Sequence, residues 1–376
     1  MWDSSRTARW SVPLIAAALV AISQTAVAGG ALPTPIHRTA LTKEYSLTSV
    51  SCPATNYCEA VGQTQIGTTL SGLAESWNGA TWSAQAPALP AGASSFTLEG
   101  VTCAAVNSCI AVGYGVVSTH DYTLVETWNG TSWSIQSSPD VAGAAEDILS
   151  SVSCESATSC LAVGASVGPT PPWQTLAETW NGSTWTISPT PDMGTGQNTL
   201  SSVSCVPAYC SAVGSYYAPG GSSASTLDEA WSSGTWSVVA TPNGSGSSTL
   251  SGVACASTTF CEAVGFEGEA LIETWNGSTW SIAASPTRVG SLFGVSCVSP
   301  SYCVTVGKGP LAEVWNGSTW VVHQAIKPST STGAFLDSVS CPSATACMAV
   351  GTYYAPDKSL AETWNGRYWV RSPTKY

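Results

Sequence analysis

Hydrophobic and polar residues alternate over short stretches of this chain, and the same alternation recurs along most of its length. In one copy, apolar positions recur with a period close to two over residues 149–154 and 176–180, while residues 160–164 form an apolar stretch that ends in glycine. A period of two is typical of β-strands, because successive side chains point to opposite faces of a sheet. A turn at residues 181–184 leads to a last short stretch at 185–187. Each copy is therefore predicted to form four short antiparallel strands, designated a to d.

The copies follow one another with a period of roughly 40 to 50 residues, which indicates a repeat architecture. A single four-stranded meander cannot bury both of its faces, so the copies are expected to pack on one another. Radial closure leaves only short strand edges, whereas a β-helix needs shorter, more regular rungs and a β-sandwich does not need equal copies. The sequence predicts an all-β, seven-bladed β-propeller over residues 47–376, preceded by an N-terminal segment at 29–46. The blades are expected to begin near Leu47, Leu98, Leu149, Leu200, Leu250, Leu292 and Leu336.

All 14 cysteines fall into close pairs, one pair in each copy. Each pair flanks the predicted turn between strands a and b, where the ends of an antiparallel hairpin lie within disulfide reach. Metal binding by these cysteines lacks partners, because the chain contains only 3 histidines. One disulfide within each blade is therefore the prediction. The predicted bonds are Cys52-Cys58, Cys103-Cys109, Cys154-Cys160, Cys205-Cys210, Cys255-Cys261, Cys297-Cys303 and Cys341-Cys347.

Two tryptophans recur in every copy, the first ending strand c and the second opening strand d. A four-residue loop at 129–132 is predicted to place Trp128 opposite Trp133. Identical placement in every blade favours packing between adjacent sheets over stacking on a sugar. A glutamate recurs two residues before the first tryptophan, and we expect it to accept hydrogen bonds within the propeller rather than to bind metal. These glutamates are Glu75, Glu126, Glu178, Glu229, Glu273, Glu313 and Glu362.

The order of an apolar strand, a strand ending in glycine and two spaced tryptophans resembles the kelch repeat. Gly164, Trp180 and Trp185 stand where that family has a glycine doublet, an aromatic residue on strand c and a tryptophan on strand d. One glycine replaces the doublet, and the cysteine pairs are an addition. The stretch from Asn181 to Trp185 is also similar to a shortened Asp-box of the sialidase-like propellers, with asparagine for the usual aspartate. Both resemblances imply a propeller fold, and neither carries an activity to this chain.

The first 28 residues are predicted to be a cleaved signal peptide, in which Arg6 and Arg9 precede a short apolar run and Ala26 and Ala28 mark the cut. An uncleaved anchor is the alternative. Export to an oxidising compartment agrees with the paired cysteines, so the mature protein is expected to be secreted, monomeric and free of the membrane. Only 11 lysines and arginines accompany a net charge of −12, so binding of nucleic acid through its phosphates is not expected.

The ligand-binding surface is expected on the face that carries the b–c and d–a loops, because these loops vary between copies while the other turns do not. The sequence predicts long b–c loops in blades two, three, four and seven, which form an aromatic wall, and a notch over blades five and six. His120 and Asp121 in the loop of blade two form the only adjacent histidine–carboxylate pair. The candidate binding residues are Tyr114, His120, Asp121, Tyr122, Trp173, Tyr216, Tyr217, Tyr353 and Tyr354.

Non-catalytic binding or scaffolding of an extracellular glycan or protein, with no cofactor or metal, is the predicted function. Sialidase chemistry needs an arginine cluster, and within the blades only Arg288, Arg367 and Arg371 occur, which are not expected to converge. A copper-radical oxidase of kelch type needs a free cysteine. The alternative is a glycoside hydrolase or lyase at the propeller axis, which requires two carboxylates to converge there. Unrepeated candidates for that pair are Asp121, Asp140, Glu146, Asp147, Asp192, Asp228, Glu267, Glu269 and Asp337.

Overall fold

The structure, a computed structural model, describes residues 43–243, 246–287, 290–329, 331–354 and 357–376. The predicted signal peptide at 1–28 and most of the segment at 29–46 lie outside the described residues, as does Arg288. The described chain forms 28 β-strands and no helix. Accordingly, it offers no helix of the length and apolarity needed to cross a bilayer.

The strands fall into groups of four consecutive members. Blade one contains β1 (Lys43–Ala54), β2 (Tyr57–Ile66), β3 (Thr69–Trp77) and β4 (Trp82–Gln85), and blade two contains β5 (Ser95–Ala105), β6 (Ser108–Val117), β7 (His120–Trp128) and β8 (Trp133–Gln136). Blade three contains β9 (Glu146–Ser156), β10 (Ser159–Val167), β11 (Gln174–Trp180) and β12 (Trp185–Ile187), and blade four contains β13 (Asn198–Val206), β14 (Tyr209–Tyr217), β15 (Ala224–Ser232) and β16 (Thr235–Val239). Blade five contains β17 (Thr249–Ser257), β18 (Phe260–Phe266), β19 (Ala270–Trp275) and β20 (Trp280–Ala283), and blade six contains β21 (Leu292–Ser299), β22 (Tyr302–Gly307), β23 (Leu311–Trp315) and β24 (Trp320–Val322). Blade seven contains β25 (Ala334–Ser343), β26 (Ala346–Tyr353), β27 (Lys358–Trp364) and β28 (Trp369–Arg371).

Within each blade the strands pair antiparallel in the order a, b, c, d. Five blades form separate four-stranded sheets, while a single parallel bridge between Asp121 and Glu146 joins blades two and three into one eight-stranded sheet. The 28 strands therefore confirm the predicted all-β propeller of seven four-stranded blades. The first strand begins at Lys43, slightly before the predicted start at Leu47.

Disulfide bonds join the predicted cysteine pair in every blade. In blade two, Cys103 and Cys109 lie directly opposite each other across β5 and β6, next to the a–b turn. None of the cysteines in the described chain is free. Every disulfide therefore lies within one blade, and apart from the backbone that connects consecutive blades, the blades are held to one another by non-covalent contacts.

Seven hydrophobic clusters fill the seven boundaries between neighbouring blades. At the first boundary, Val61 and Ala74 of blade one pack with Leu98 and Trp133 of blade two. The second tryptophan of every blade belongs to such a cluster, and Trp185 is only 5% exposed. These tryptophans fill the space between sheets, as the sequence predicts, because a large flat side chain removes much apolar surface from water.

The paired tryptophans lie directly opposite each other, as predicted, and the ring centroids of Trp128 and Trp133 are 5.6 Å apart. The four-residue loop between them is closed by Asn129, whose side-chain oxygen accepts hydrogen bonds from the backbone N–H groups of Thr131 and Ser132. An asparagine side chain that binds its own turn in this way fixes the loop without any ligand.

Blades seven and one close the propeller without exchanging a strand in the described chain. Leu47 and Trp82 of blade one pack with Val350 of blade seven, and Trp82 Nε1 donates a hydrogen bond of 3.1 Å to Ser372 Oγ. The residues after β28 continue onto blade one. There the Lys375 backbone N–H donates to Glu75 Oε2 at 2.9 Å. The C-terminal residues thus contact blade one across the last boundary, as each d–a segment contacts the following blade at the other boundaries.

Candidate functional site

The seven repeated glutamates of strand c are completely buried. Most of them accept a hydrogen bond from the preceding blade. The Ala88 backbone N–H donates to Glu126 Oε2 at 2.8 Å, and Ser138 Oγ donates to Glu178 Oε2 at 2.6 Å. Burial raises the pKa of these carboxyls, to about 7 for Glu126 and about 8 for Glu178. The glutamates therefore link one blade to the next, and the expectation of a structural role is confirmed, although the donors come from the preceding blade.

Blade two carries an extended hairpin in place of the predicted long b–c loop, whereas six residues connect strands b and c in blades three and four. In blade two, β6 runs to Val117 and β7 begins at His120, so only two residues connect them. His120 and Asp121 therefore belong to strand β7, and their predicted placement in a loop is wrong. The register continues to the pair Val117 and His120 because β-branched and aromatic residues around Tyr114 favour a paired strand over a loop.

The height of these hairpins varies around the propeller. Blade one carries a hairpin that reaches Ile66, a feature absent from the sequence prediction because this hairpin has glutamine and threonine where blade two has tyrosine. In blades five and six, strand b ends already at Phe266 and Gly307. The face is consequently low over blades five and six, where the sequence predicts a notch.

The nine candidate residues occupy the hairpins of blades two, three, four and seven as single side chains. His120 is exposed, Asp121 is buried, and the others, which are half-buried, are Tyr114, Tyr122, Trp173, Tyr216, Tyr217, Tyr353 and Tyr354. Among the described residues, no aromatic contact joins any two of the nine.

Two of these tyrosines also take part in packing. The Arg371 guanidinium lies over the Tyr353 ring, 5.5 Å from its centroid. The Tyr354 ring meets Phe335 edge-on, with 5.4 Å between the centroids. Both residues present only part of their surface to a ligand, and any binding by them depends on the hairpin that supports them.

A β-bulge occurs at the same place in strand a of every blade. In blade two the pairing with β6 passes from Leu98 to Gly100, so Glu99 is the extra residue. The bulge also explains the glycine that ends the repeated apolar stretch, because a Cβ on Gly113 would collide with the Thr97 carbonyl oxygen. The a-strands of neighbouring blades contact one another around the propeller. A bulge in such a strand redirects the side chain of its extra residue. The extra residues therefore line the axis: Thr48, Glu99, Ser150, Ser201, Ser251, Phe293 and Asp337.

Two carboxyl groups meet at this axis. Burial raises the pKa of Asp337 to about 7, and the charge of Glu99 adds to the effect. Burial also raises the pKa of Glu99, whose Oε1 accepts a hydrogen bond of 2.6 Å from Thr97 Oγ1. The nearby Tyr354 has its pKa raised to about 12 by burial and then by Asp337. The charge of Glu99 thus acts on Asp337, and the charge of Asp337 acts on a candidate tyrosine.

Sequence reasoning missed Glu99, although it named Asp337 among the unrepeated carboxylates. The signal was present at the residue that follows the repeated leucine of strand a, where the seven copies carry only two charged side chains. Comparison of the copies at that position would have identified the pair. A bulge changes the face to which a side chain points, and simple alternation hides such a change.

Four of the other unrepeated carboxylates, Asp140, Asp147, Asp192 and Asp228, accept hydrogen bonds within the fold. Asp140 Oδ1 accepts a hydrogen bond of 2.9 Å from the Thr123 backbone N–H, and Asp192 has the same role in the next blade. Asp228 is fully buried and accepts a hydrogen bond of 2.7 Å from Trp280 Nε1. Nowhere in the described ranges do three or more histidine, cysteine, aspartate or glutamate side chains converge as a metal site would require.

No family model and no curated protein matches this sequence. Solved structures do match. A structure of YCF48 bound to D1 peptide has a TM-score of 0.52 at 16% identity, covering 89% of this chain and 96% of that chain. YCF48 from Cyanidioschyzon merolae gives a TM-score of 0.53 at 14% identity, covering 89% and 97%. The structure of U3-55K gives a TM-score of 0.54 at 10% identity, covering 81% and 88%. Likeness at these identities supports the β-propeller fold, and it does not extend the resemblance to kelch proteins in particular.

Proposed function

We propose that this protein is a secreted, non-catalytic propeller that binds a segment of an extracellular protein on the face formed by its b–c hairpins and d–a segments. One observation carries the proposal: that face has an uneven rim with unlike side chains, whereas the opposite face repeats one asparagine turn in six of the seven blades. Recognition of one partner needs a surface whose side chains differ from place to place. Tyrosine and tryptophan on such a rim offer a large contact area at low cost in side-chain entropy.

The low rim over blades five and six gives an extended chain an open path toward the axis. An elongated ligand that enters there passes the short connections after Phe266 and Gly307 and reaches the carboxyl pair of Glu99 and Asp337. A peptide suits this path because its N–H groups and basic side chains are donors for the axial carboxyls. The structurally similar protein YCF48 has been solved with a bound peptide, so a protein segment is the first ligand to test. The seven disulfides are compatible with an oxidising, extracellular compartment.

The decisive experiment selects peptides from a display library on the oxidised protein and measures their affinity for variants. Replacing Trp173, Tyr217 and Tyr354 with alanine is expected to weaken the selected peptides by at least about a hundredfold, because aromatic anchors dominate such interfaces. Circular dichroism should show little change in melting temperature. Loss of binding only when the fold is lost as well would contradict the proposal.

A matched control replaces Asn181 and Ser183, which lie in a turn of the opposite face, with alanine and should leave peptide affinity unchanged. If these turn substitutions remove peptide binding and the aromatic substitutions do not, the binding site lies on the turn face and the proposal is wrong. A glycan array probed with the same protein distinguishes the second class of ligand. Strong glycan hits together with no enriched peptide would overturn the choice of a protein segment.

Hydrolysis of a glycan at the axis is the second candidate, and the meeting of Glu99 and Asp337 favours it. A glycosidase needs one carboxylic acid that is still protonated near neutral pH and one carboxylate, and a pKa of about 7 for Asp337 suits the acid. Incubation with a panel of polysaccharides tests this directly. The hydrolytic candidate requires product release by the wild type and a loss of at least about a hundredfold in Asp337→Asn. If no product forms even when protein and polysaccharide are mixed in equal molar amounts, the hydrolytic function is excluded.

A further inference from the structure

A cleft of about 280 Å³ opens on the turn face, between blades seven and one. Trp77 and Trp364 line it together with Met348 and Ala346. The cysteines Cys52, Cys58 and Cys347 also line the cleft, which places it beside two disulfides. It lies on the face opposite the hairpins, so it is independent of the binding surface proposed above.

The cleft exists because one side chain of the repeat is small. Ala346 immediately precedes the second cysteine of its blade, and most other blades have an aromatic residue at that position. Each of these aromatic residues packs against the cluster at the boundary with the next blade: Tyr57, Tyr209, Phe260 and Tyr302. Blades two and three have Ser108 and Ser159 there, and a smaller cleft of about 100 Å³ opens at the boundary after blade two. A small side chain at this position therefore accompanies both clefts.

Tyr57 shows what a filled boundary looks like. Its hydroxyl accepts a hydrogen bond of 3.0 Å from Trp128 Nε1 of blade two and donates one of 2.5 Å to Glu59 Oε1. At the boundary between blades seven and one, Trp77 stands in the place of Trp128 and Met348 in the place of Glu59. In the described part of the chain no hydrogen bond joins Trp77 Nε1 to an acceptor. By contrast, Trp128 donates to a tyrosine, and the first tryptophans of blades three, five, six and seven donate to a turn carbonyl.

We propose that this cleft binds a planar aromatic ring that carries an oxygen acceptor, as a phenol does, in the position that Tyr57 occupies at the next boundary. Trp77, Trp364 and Met348 supply apolar contacts for the ring, and the Met348 thioether favours contact with an aromatic face or edge. The rest of the lining includes the polar side chains of Thr55, Thr345, Thr363 and Asn365. A cavity of about 150 Å³ already holds benzene, so the volume is sufficient. The Trp77 indole N–H supplies the hydrogen bond to the oxygen acceptor. The ring belongs either to a small phenol or to a tyrosine side chain of another protein.

Titration with p-cresol, followed by calorimetry and by the indole N–H resonance of Trp77, tests the proposal. Saturable binding below about 10 mM is expected, with toluene weaker than p-cresol because it lacks the acceptor. Trp77→Phe keeps an aromatic wall without the donor, and it should weaken p-cresol about threefold to tenfold while leaving toluene unchanged. No saturation by p-cresol, or equal binding of p-cresol by Trp77→Phe and wild type, overturns the proposal.

Filling the cleft from within is the complementary test. Ala346→Tyr should raise the melting temperature and reduce p-cresol affinity at least about tenfold, because the new side chain occupies the site. Ser108→Tyr is the matched control, since it fills the other cleft and should leave p-cresol affinity unchanged. Undiminished p-cresol binding by a folded Ala346→Tyr places the ligand elsewhere and overturns the proposal. If Ala346→Tyr does not fold, Trp77→Phe decides the question.

Two peptides distinguish the sources of the ring. Competition with p-cresol by Gly-Tyr-Gly but not by Gly-Gly-Gly assigns the cleft to tyrosine side chains of a partner. Binding of p-cresol without competition by the tyrosine peptide assigns it to small phenols. Both outcomes support an aromatic acceptor site.

Discussion

A carboxyl group that is removed from water favours its neutral form, and Glu178 shows the consequence for a single side chain. Its Oε2 accepts a hydrogen bond from Ser138 Oγ, while its Oε1 is buried without a partner within the described structure. Burial raises the pKa to about 8, and the hydrogen bond from Ser138 opposes the shift. Burial therefore makes the folded state favour the protonated form of this glutamate, although the hydrogen bond from Ser138 favours the carboxylate.

Stability is consequently expected to fall as pH rises. The pKa of Glu178 is higher in the folded state, at about 8, than its ordinary value of 4.5, so the folded state binds more protons between these two values. Its contribution is complete below pH 4.5 and is lost as pH rises through about 8. The free energy of unfolding, measured with urea, should therefore be larger at pH 5 than at pH 8.

Glu178→Gln should flatten this dependence, because the amide keeps the shape and the acceptor but cannot ionise. The matched control is Glu155→Gln, which changes an exposed glutamate and should retain the slope of the wild type. An unchanged slope in Glu178→Gln would show that this carboxyl does not ionise over the tested range.

At the scale of elements, the c–d turn of blade four departs from the pattern of the other blades. It is a two-residue turn in which Ser233 and Gly234 have φ of 54° and 81°, and Trp231 still lies opposite Trp236. Two consecutive residues at positive φ are typical of a type I′ hairpin turn, which prefers asparagine followed by glycine. Serine at the first position is strained, since the left-handed region costs an L-residue roughly 1–2 kcal/mol.

Ser233→Asn is expected to increase the free energy of unfolding by about 0.5–1 kcal/mol, because asparagine tolerates positive φ better than serine does. Thermal and urea unfolding would measure the change. Ser183→Asn, in the four-residue turn of blade three, is the control and should not stabilise the protein. A decrease in stability for Ser233→Asn would mean that packing at this turn outweighs the backbone effect.

The strands and their pairing were predictable because each blade contains its own markers. Cys160 must lie opposite Cys154 to form a disulfide, and Trp180 must lie opposite Trp185 if four residues separate them. The ends of the hairpins were not predictable in the same way, because residues such as Tyr114 and His120 suit a strand or a loop equally well. The axial pair was hidden because Glu99 sits on a bulge, where alternation no longer gives the face.

The propeller as a whole depends on one boundary that differs from the other six. At that boundary the polypeptide is not continuous, and the C-terminal residues take the place of a d–a segment. The Tyr376 ring stacks on Tyr45 at a centroid distance of 4.7 Å, and the Lys375 backbone N–H reaches Glu75. Closure therefore depends in part on contacts made by Lys375 and Tyr376.

Deletion of residues 373–376 should lower the free energy of unfolding by about 2 kcal/mol, because it leaves buried Glu75 without its donor and removes an aromatic stack. Hydrogen exchange should increase in β1 and β25 and remain unchanged in β13, on the far side of the propeller. Lys375→Ala is the matched control, since it keeps the backbone donor and should behave as wild type. Wild-type protection of β1 in the deletion variant would show that the side-chain cluster alone closes the propeller.

The position of the disulfides sets the order in which the molecule can be assembled. Bonded cysteines are only 5 or 6 residues apart in sequence, whereas consecutive pairs are separated by a whole blade. During synthesis from the N-terminus, both partners of a pair become available almost together, before the next pair has been made. The high effective concentration of the near partner favours local oxidation over mispairing between blades. Each blade can thus be crosslinked in the order of synthesis, and the last blade finds the first one already locked in its register.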